Sequence, residues 1–297
     1  MNRFLWLIRR EIWEHKAIWI APAIVIACVF LLSLTSQVHL GYNVGASIVN
    51  LPEQSQIALH QLAYTVVAII IFFVMGVIGF FYAIDSLYAD RSDRSVLFWK
   101  SLPLSDSETV LSKFTTGVLV IPVVAALGSI VAQVLAGGGI MARLAMHGDA
   151  VGYWLHPQAL AGGAVMAIFA CITVALWYAP LIAYLMLASA WAPRAPFLWA
   201  VLPPVAASIL EAMVLQTSVL RDFFLRRLLG VADLISSHGP KSDPQGLQDL
   251  ITRIQGYDAI GRLRDFYASP ELWLGVLAAG VLLAAAMWVR RYRDETS

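Results

Sequence analysis

Residues 62–84 read LAYTVVAIIIFFVMGVIGFFYAI, 23 consecutive positions without a charged side chain. A helix crosses about 30 Å of hydrocarbon with roughly 20 apolar residues, and in lipid only a helix or a closed barrel can satisfy its own backbone hydrogen bonds. This stretch is therefore predicted to be a transmembrane helix, and it has companions. No Asp, Glu, Lys or Arg occurs between Lys16 and Glu53, Glu53 and Asp85, Lys113 and Arg143, Asp149 and Arg194, or Glu271 and Arg290, and only Glu211 lies between Arg194 and Arg221. The predicted spans are Ala17 to Thr35, Leu62 to Ile84, Phe114 to Leu135, Leu160 to Ala188, Phe197 to Leu215 and Leu272 to Val289. Pro22, Pro122, Pro180, Pro203 and Pro204 fall inside them, where a missing N–H and a ring clash predict kinks.

Composition agrees with the pattern. The 297 residues are 60% hydrophobic and 13% charged, with a mean hydropathy of +0.74, whereas soluble domains carry roughly 25% charged residues. The class expected is an all-α integral membrane protein with six transmembrane helices in a single domain. Cys28 and Cys171 each lie within an apolar stretch, so no disulfide is expected. The first span is expected to be retained, because no convincing small-x-small cleavage pattern follows it.

Residues 2–16, NRFLWLIRREIWEHK, place Phe4, Leu5, Ile8 and Ile12 on one helical face and Arg3, Arg10 and Glu14 on the other. Such a helix is expected to lie in the membrane surface. Twelve basic residues (Arg3, Arg9, Arg10, Lys16, Arg91, Arg94, Lys100, Lys113, Arg194, Arg290, Arg291 and Arg293) fall on one side of the predicted topology, against Arg143 alone in the short loops opposite. Cytoplasmic loops keep Lys and Arg in excess, so both termini are expected in the cytoplasm, in a cell (inner) membrane. The long segment 217–270 is placed outside despite its seven basic residues, since long loops translocate largely regardless of charge. It reads as a small external helical segment. One stripe is Leu220, Phe223, Phe224, Leu228, Val231 and Ile235; after a breaker with Pro240 and Pro244, a second is Leu247, Leu250, Ile251, Ile254 and Leu263.

The polar stretch 85–113, DSLYADRSDRSVLFWKSLPLSDSETVLSK, holds the strongest local signals. Ser105 and Glu108 form a capping box after Pro103, so a helix is predicted to begin there and run through Lys113 into the third span. Upstream, Val96, Leu97, Phe98 and Trp99 make an apolar cluster between Arg94 and Lys100. Apolar residues rimmed by charge read as a docking surface or, alternatively, as aromatic anchors at the lipid interface.

The succession of Asp90 and Arg91, Ser95, the apolar run Val96 to Trp99, Leu102, Pro103 and Ser105, then Glu108 and Lys113, resembles the cytoplasmic loop of ABC-2 type exporter permeases. The surface helix at the start, six spans with both termini inside and the enlarged outer segment before the last span extend the resemblance over nearly the whole chain. The sequence departs from that pattern in having Ser92 to Arg94 where such loops often place a Gly. The resemblance implies a permease subunit whose loop carries a coupling helix seated in a separate ATP-hydrolysing subunit, with Arg91, Arg94, Phe98, Trp99 and Lys100 as contact residues. It further implies two copies of that ABC ATPase and a second permease subunit, identical or related, in the lipid membrane. ATP and magnesium would enter only through the ATPase, and nothing points to nucleic acid. The chain has no Gly-x-x-x-x-Gly-Lys-Ser/Thr, and its glycine run 137–139 leads to Ile140, Met141 and Ala142 with no Lys.

Glu211 is the one acid inside a span, with Ser208 one turn before it on the same face. A carboxylate there must face protein or water, so the pair is a candidate for the transport pathway or for an interhelical hydrogen bond. Ser129 and Gln133 read as glue between helices, Gly76, Gly79 and Gly275 with Ala279 as close-packing positions, and Tyr64, Tyr178, Tyr184, Trp191 and Trp199 as an aromatic belt. The six histidines show neither haem-ligand placement nor a His-Glu-x-x-His pattern, so no enzymatic activity, resident cofactor or metal is expected. The alternative to a transporter is a membrane sensor or assembly scaffold whose basic loop docks a cytosolic partner.

Overall fold

A computed structural model describes residues 3–35, 52–92, 105–147, 156–235 and 259–293, and every element among them is helical. In chain order these are α1 (Arg3–Glu14), α2 (Ala17–Thr35), α3 (Glu53–Ser92), α4 (Asp106–Thr115), a π-helical turn (Thr116–Val120), α5 (Ile121–His147), α6 (Pro157–Trp191), α7 (Pro196–Val214), α8 (Val219–Ile235), α9 (Ala259–Ala268) and α10 (Pro270–Arg293). Six stretches are long and apolar enough to cross a membrane: Ala17–Leu34, Glu53–Ser92, Asp106–Arg143, Pro157–Trp191, Pro196–Val214 and Pro270–Tyr292. Each contains or nearly coincides with a predicted span. The chain has the architecture of a multi-pass membrane protein.

The second, third and fourth of these overrun the bilayer. At 1.5 Å per residue, the 40 residues of α3 extend roughly 60 Å, about twice the hydrocarbon thickness. The surplus supplies the protein surfaces beyond the lipid on which polar groups can meet. The π-turn has a local cause in Pro122, which cannot donate a hydrogen bond and whose ring would strike the carbonyl of Val118 in a regular helix. Widening the preceding turn relieves that clash, and the Ile121 N–H reaches back five residues to the Thr116 carbonyl.

The core is one layer of α6 packed against α3 and α10, and a second of α3, α5 and α2. Leu87, Val110, Leu185, Met186 and Ala286 anchor the first, Ile18, Ile71, Met75 and Ile121 the second. Close approach is enforced at Gly163, where a Cβ would stand 2.6 Å from the Gln133 side-chain oxygen and 3.4 Å from the Cβ of Tyr64. Gln133 donates across to the Tyr64 carbonyl at 3.4 Å and so joins helices as expected. Ser129 instead donates to its own helix at Ala126. Gly79 and Ala279 pack against neighbours, but Gly76 opens to nothing within 4 Å.

The aromatic belt is narrower than the sequence implied. Tyr64 is buried, while Tyr178 and Tyr184 donate to the carbonyls of Leu228 and Ala200. Of these five, Trp191 and Trp199 are the exposed ones, edge to face at 4.8 Å. In the segment 217–270, α8 and α9 are described, whereas Leu247, Leu250, Ile251 and Ile254 lie outside the described residues. The packed face of α8 also differs from the predicted stripe, for Leu220, Phe223 and Leu228 are exposed. Its contact with the bundle is made through Arg227, whose guanidinium lies 4.3 Å from the Trp177 ring centroid, and through Gly230, whose missing Cβ leaves room for the same indole. The Trp177 Nε1–H closes the joint on the Arg227 carbonyl at 2.9 Å.

Candidate functional site

The described structure concentrates its buried charge where α1, the end of α3, the start of α4 and the end of α10 converge. The capping box forms there as predicted: the Glu108 N–H donates to Ser105 Oγ at 3.2 Å, and the Ser105 N–H donates to Glu108 Oε2 at 3.0 Å. Starting the helix at Asp106 fixes Lys113 two turns later on the same face. Asp90 stands on the α3 face that also carries Ala83 and Leu87, both in the core. Glu11 comes from α1, one turn after buried Leu7.

These residues form one network. Lys113 Nζ lies 3.1 Å from Glu11 Oε1 and 3.4 Å from Asp90 Oδ1. The other oxygen of Asp90 accepts from Arg290 Nη1 at 3.1 Å, and Arg290 Nε reaches Asp106 Oδ1 at 3.4 Å. The Tyr82 hydroxyl lies 2.9 Å from Glu11 Oε2 and 3.3 Å from the Lys113 carbonyl. Glu11, Lys113, Arg290 and Asp90 are 1%, 2%, 5% and 6% exposed, so water does little to stabilise them. Each buried ion costs several kcal/mol of desolvation unless partners offset it. Two carboxylates against two cations make the buried part neutral, and Asp106 stands at the wetter edge.

His15 borders the knot, with Nε2 3.9 Å from Glu11 Oε2 and its ring edge to face with Tyr82 at 4.7 Å between centroids. Burial holds its imidazole below the ordinary histidine range. The Glu11 carboxylate opposes that shift, Lys113 adds to it, and Glu14 and Asp85 oppose it in turn.

Of the residues expected to touch an ATPase, Arg94, Phe98, Trp99 and Lys100 lie outside the described residues. Arg91 is described, and it turns inward: its Nη2 donates to the carbonyls of Ser189 and Ala192 at the end of α6. Beside it, Ser189 Oγ accepts from the N–H groups of both Leu87 and Tyr88, at 3.1 and 2.9 Å. The C-terminal part of α3 is thus tied to α6 by the side chains of Ser189 and Arg91.

Glu211 and Ser208 both make local hydrogen bonds. Glu211 accepts from the Thr217 hydroxyl at 2.7 Å and from the N–H groups of Val219 and Leu220 at 2.9 and 2.8 Å, so it caps the first turn of α8. Ser208 donates to Pro204 in its own helix. A small apolar cleft of about 60 Å³ lies between α3, α5 and α6, lined by Phe72, Met75, Gly76, Pro122 and Tyr178 among others, and neither Ser208 nor Glu211 borders it. Among the described residues, no three His, Cys, Asp or Glu side chains converge as metal ligands would.

Sequence reasoning singled out Asp90 and Lys113 only as loop landmarks and passed over Glu11 and Arg290 as partners. One signal was present. Glu11 falls between Leu7, Ile8 and Ile12, and an acid inside the apolar stripe of a surface helix demands a buried counter-ion. No protein-family model matches the chain, and comparisons with curated proteins and with solved structures find no similar protein.

Proposed function

We propose that this chain is the membrane-spanning permease subunit of an ATP-driven exporter, in which a separate ABC ATPase docks on the loop 93–104 and drives rearrangement of the spans. The observation that carries this reading is that both ends of that loop enter one buried ionic knot. Asp90 precedes the loop and Asp106 follows it, and through Lys113 and Arg290 they are bound to α1 and to the last span. A push on the loop is thereby delivered to four elements at once, as rigid-body switching between packed helices requires. Arg91, anchored on α6, positions the loop from behind rather than meeting the partner. The basic-residue distribution supports a cytoplasmic face for the knot and for both termini, and two permease copies with two ATPase subunits complete the assembly.

Purification in mild detergent tests this directly. A P-loop ATPase is expected to accompany the chain, and Phe98→Ala with Trp99→Ala is expected to release it while the chain remains monodisperse. Recovery of a stable cytosolic partner that lacks a P-loop would replace the exporter by the scaffold reading. Retention of the ATPase by the double variant would move the docking surface off this loop.

A further inference from the structure

The outer face of α1 has a composition unlike the rest of the helix. At 3.6 residues per turn, Trp6, Arg9 and Trp13 lie side by side on the flank opposite Glu11. The Arg9 guanidinium sits between the two indoles, 5.1 Å from the Trp6 ring centroid and 4.8 Å from that of Trp13. The rings are not core residues, being 48% and 64% exposed, and neighbouring Leu5 is 61% exposed. No carboxylate shares this flank. Glu11 is buried on the opposite side, and Glu14 is engaged by Arg10 Nε at 2.6 Å. Only His15 and Lys16 separate α1 from the span beginning at Ala17, so the Trp13 end of the flank adjoins the start of a membrane-length apolar helix.

We propose that the Trp6, Arg9 and Trp13 face of α1 is a docking surface for the phosphate-bearing headgroups of anionic phospholipids. Indole rings settle at the depth of the headgroups, where an apolar body and a polar N–H are both accommodated. A guanidinium fixed between them presents a planar fork of donors that matches phosphate oxygens. The stacking restrains Arg9 before any lipid arrives, which lowers the ordering cost of binding. The opposite flank carries Glu11 into the ionic knot, so headgroup capture holds α1 against the bundle and keeps Glu11 on Lys113. This inference is independent of the exporter reading and needs no transport measurement.

The test uses the full chain reconstituted in phosphatidylcholine bilayers that contain, at equal mole fraction, either brominated phosphatidylglycerol or brominated phosphatidylcholine. Subtracting the fluorescence of a Trp6→Phe, Trp13→Phe variant isolates the two indoles. Brominated phosphatidylglycerol is expected to quench that component more strongly, with a preference of about fivefold attributable to one basic residue near an anionic surface. Arg9→Gln is expected to abolish the preference while quenching by brominated phosphatidylcholine persists. Raising the ionic strength around the unmodified chain is expected to weaken it in the same direction, a readout that needs no variant to fold. Equal quenching by the two lipids would reduce the face to a plain interfacial anchor and overturn the proposal. So would absence of quenching by either, which would mean that water or a protein covers the face.

Discussion

Replacing Lys113 by Met removes the one cation that touches both Glu11 and Asp90 while nearly conserving side-chain volume. In the native knot two buried cations face two buried carboxylates, and the variant leaves two carboxylates with Arg290 alone. Arg290 contacts Asp90 and Asp106 but makes no ion pair with Glu11, so Glu11 keeps only the Tyr82 hydroxyl and a histidine 3.9 Å away. Breaking a buried pair from one side costs about 3–5 kcal/mol, because it strands an uncompensated charge. Removing the acid as well, in Glu11→Gln with Lys113→Met, leaves Asp90 and Arg290 balanced and should recover most of that loss. The coupling between the two sites is then expected to exceed about 2 kcal/mol, well outside the additive behaviour of independent positions. Unfolding of the purified chain in mixed micelles, followed for both single variants and the double, measures the cycle. A Lys113→Met chain as stable as the unmodified one, or a double variant whose loss equals the sum of the singles, would refute the claim that Glu11 and Lys113 hold each other.

Three further outcomes follow from the same geometry. Ser189→Ala withdraws the acceptor shared by the Leu87 and Tyr88 N–H groups at a fully buried site, and hydrogen exchange of the 86–92 segment should quicken by an amount corresponding to about 1–3 kcal/mol of local stability; unchanged exchange would show those amides bonded within α3. Glu211→Ala should leave the spans assembled but raise exchange at Val219 and Leu220 several-fold, whereas exchange changes confined to the apolar cleft would return Glu211 to the pathway. His15 titrates lower in the folded chain than unfolded, so the unfolded state binds more protons below the ordinary histidine range and stability should decline as pH falls through about 6.5. His15→Gln should flatten that decline in pH-dependent unfolding, and an identical slope would assign the acid response to another group.

Much of the architecture was readable because the relevant physics is local. Whether a segment such as 62–84 enters lipid depends on its own composition and length, and the Ser105 and Glu108 box depends on residues three apart. The segment 217–270 was only partly readable. An amphipathic stripe containing Leu220 and Phe223 predicts a helix correctly but cannot say that Arg227 and Gly230 face Trp177, since that contact is set by how α8 docks on α6. The candidate site was the least legible. Arg91 was named as a partner contact through the resemblance, and its place in the sequence gave no sign that its guanidinium reaches the carbonyls of Ser189 and Ala192 at the end of α6.

Short-range composition and spacing dictate the six membrane-length apolar helices, the presence of an N-terminal helix and the capped helix leading into the third span. Long-range packing alone brings Glu11 to Lys113 across 102 residues and Asp90 to Arg290 across 200. The physical reason is that apolar helices in lipid pack in many orders and rotations at similar cost, so no local pattern says which buried charge will face which. That choice is made when the helices are assembled and every buried ion must find its partner.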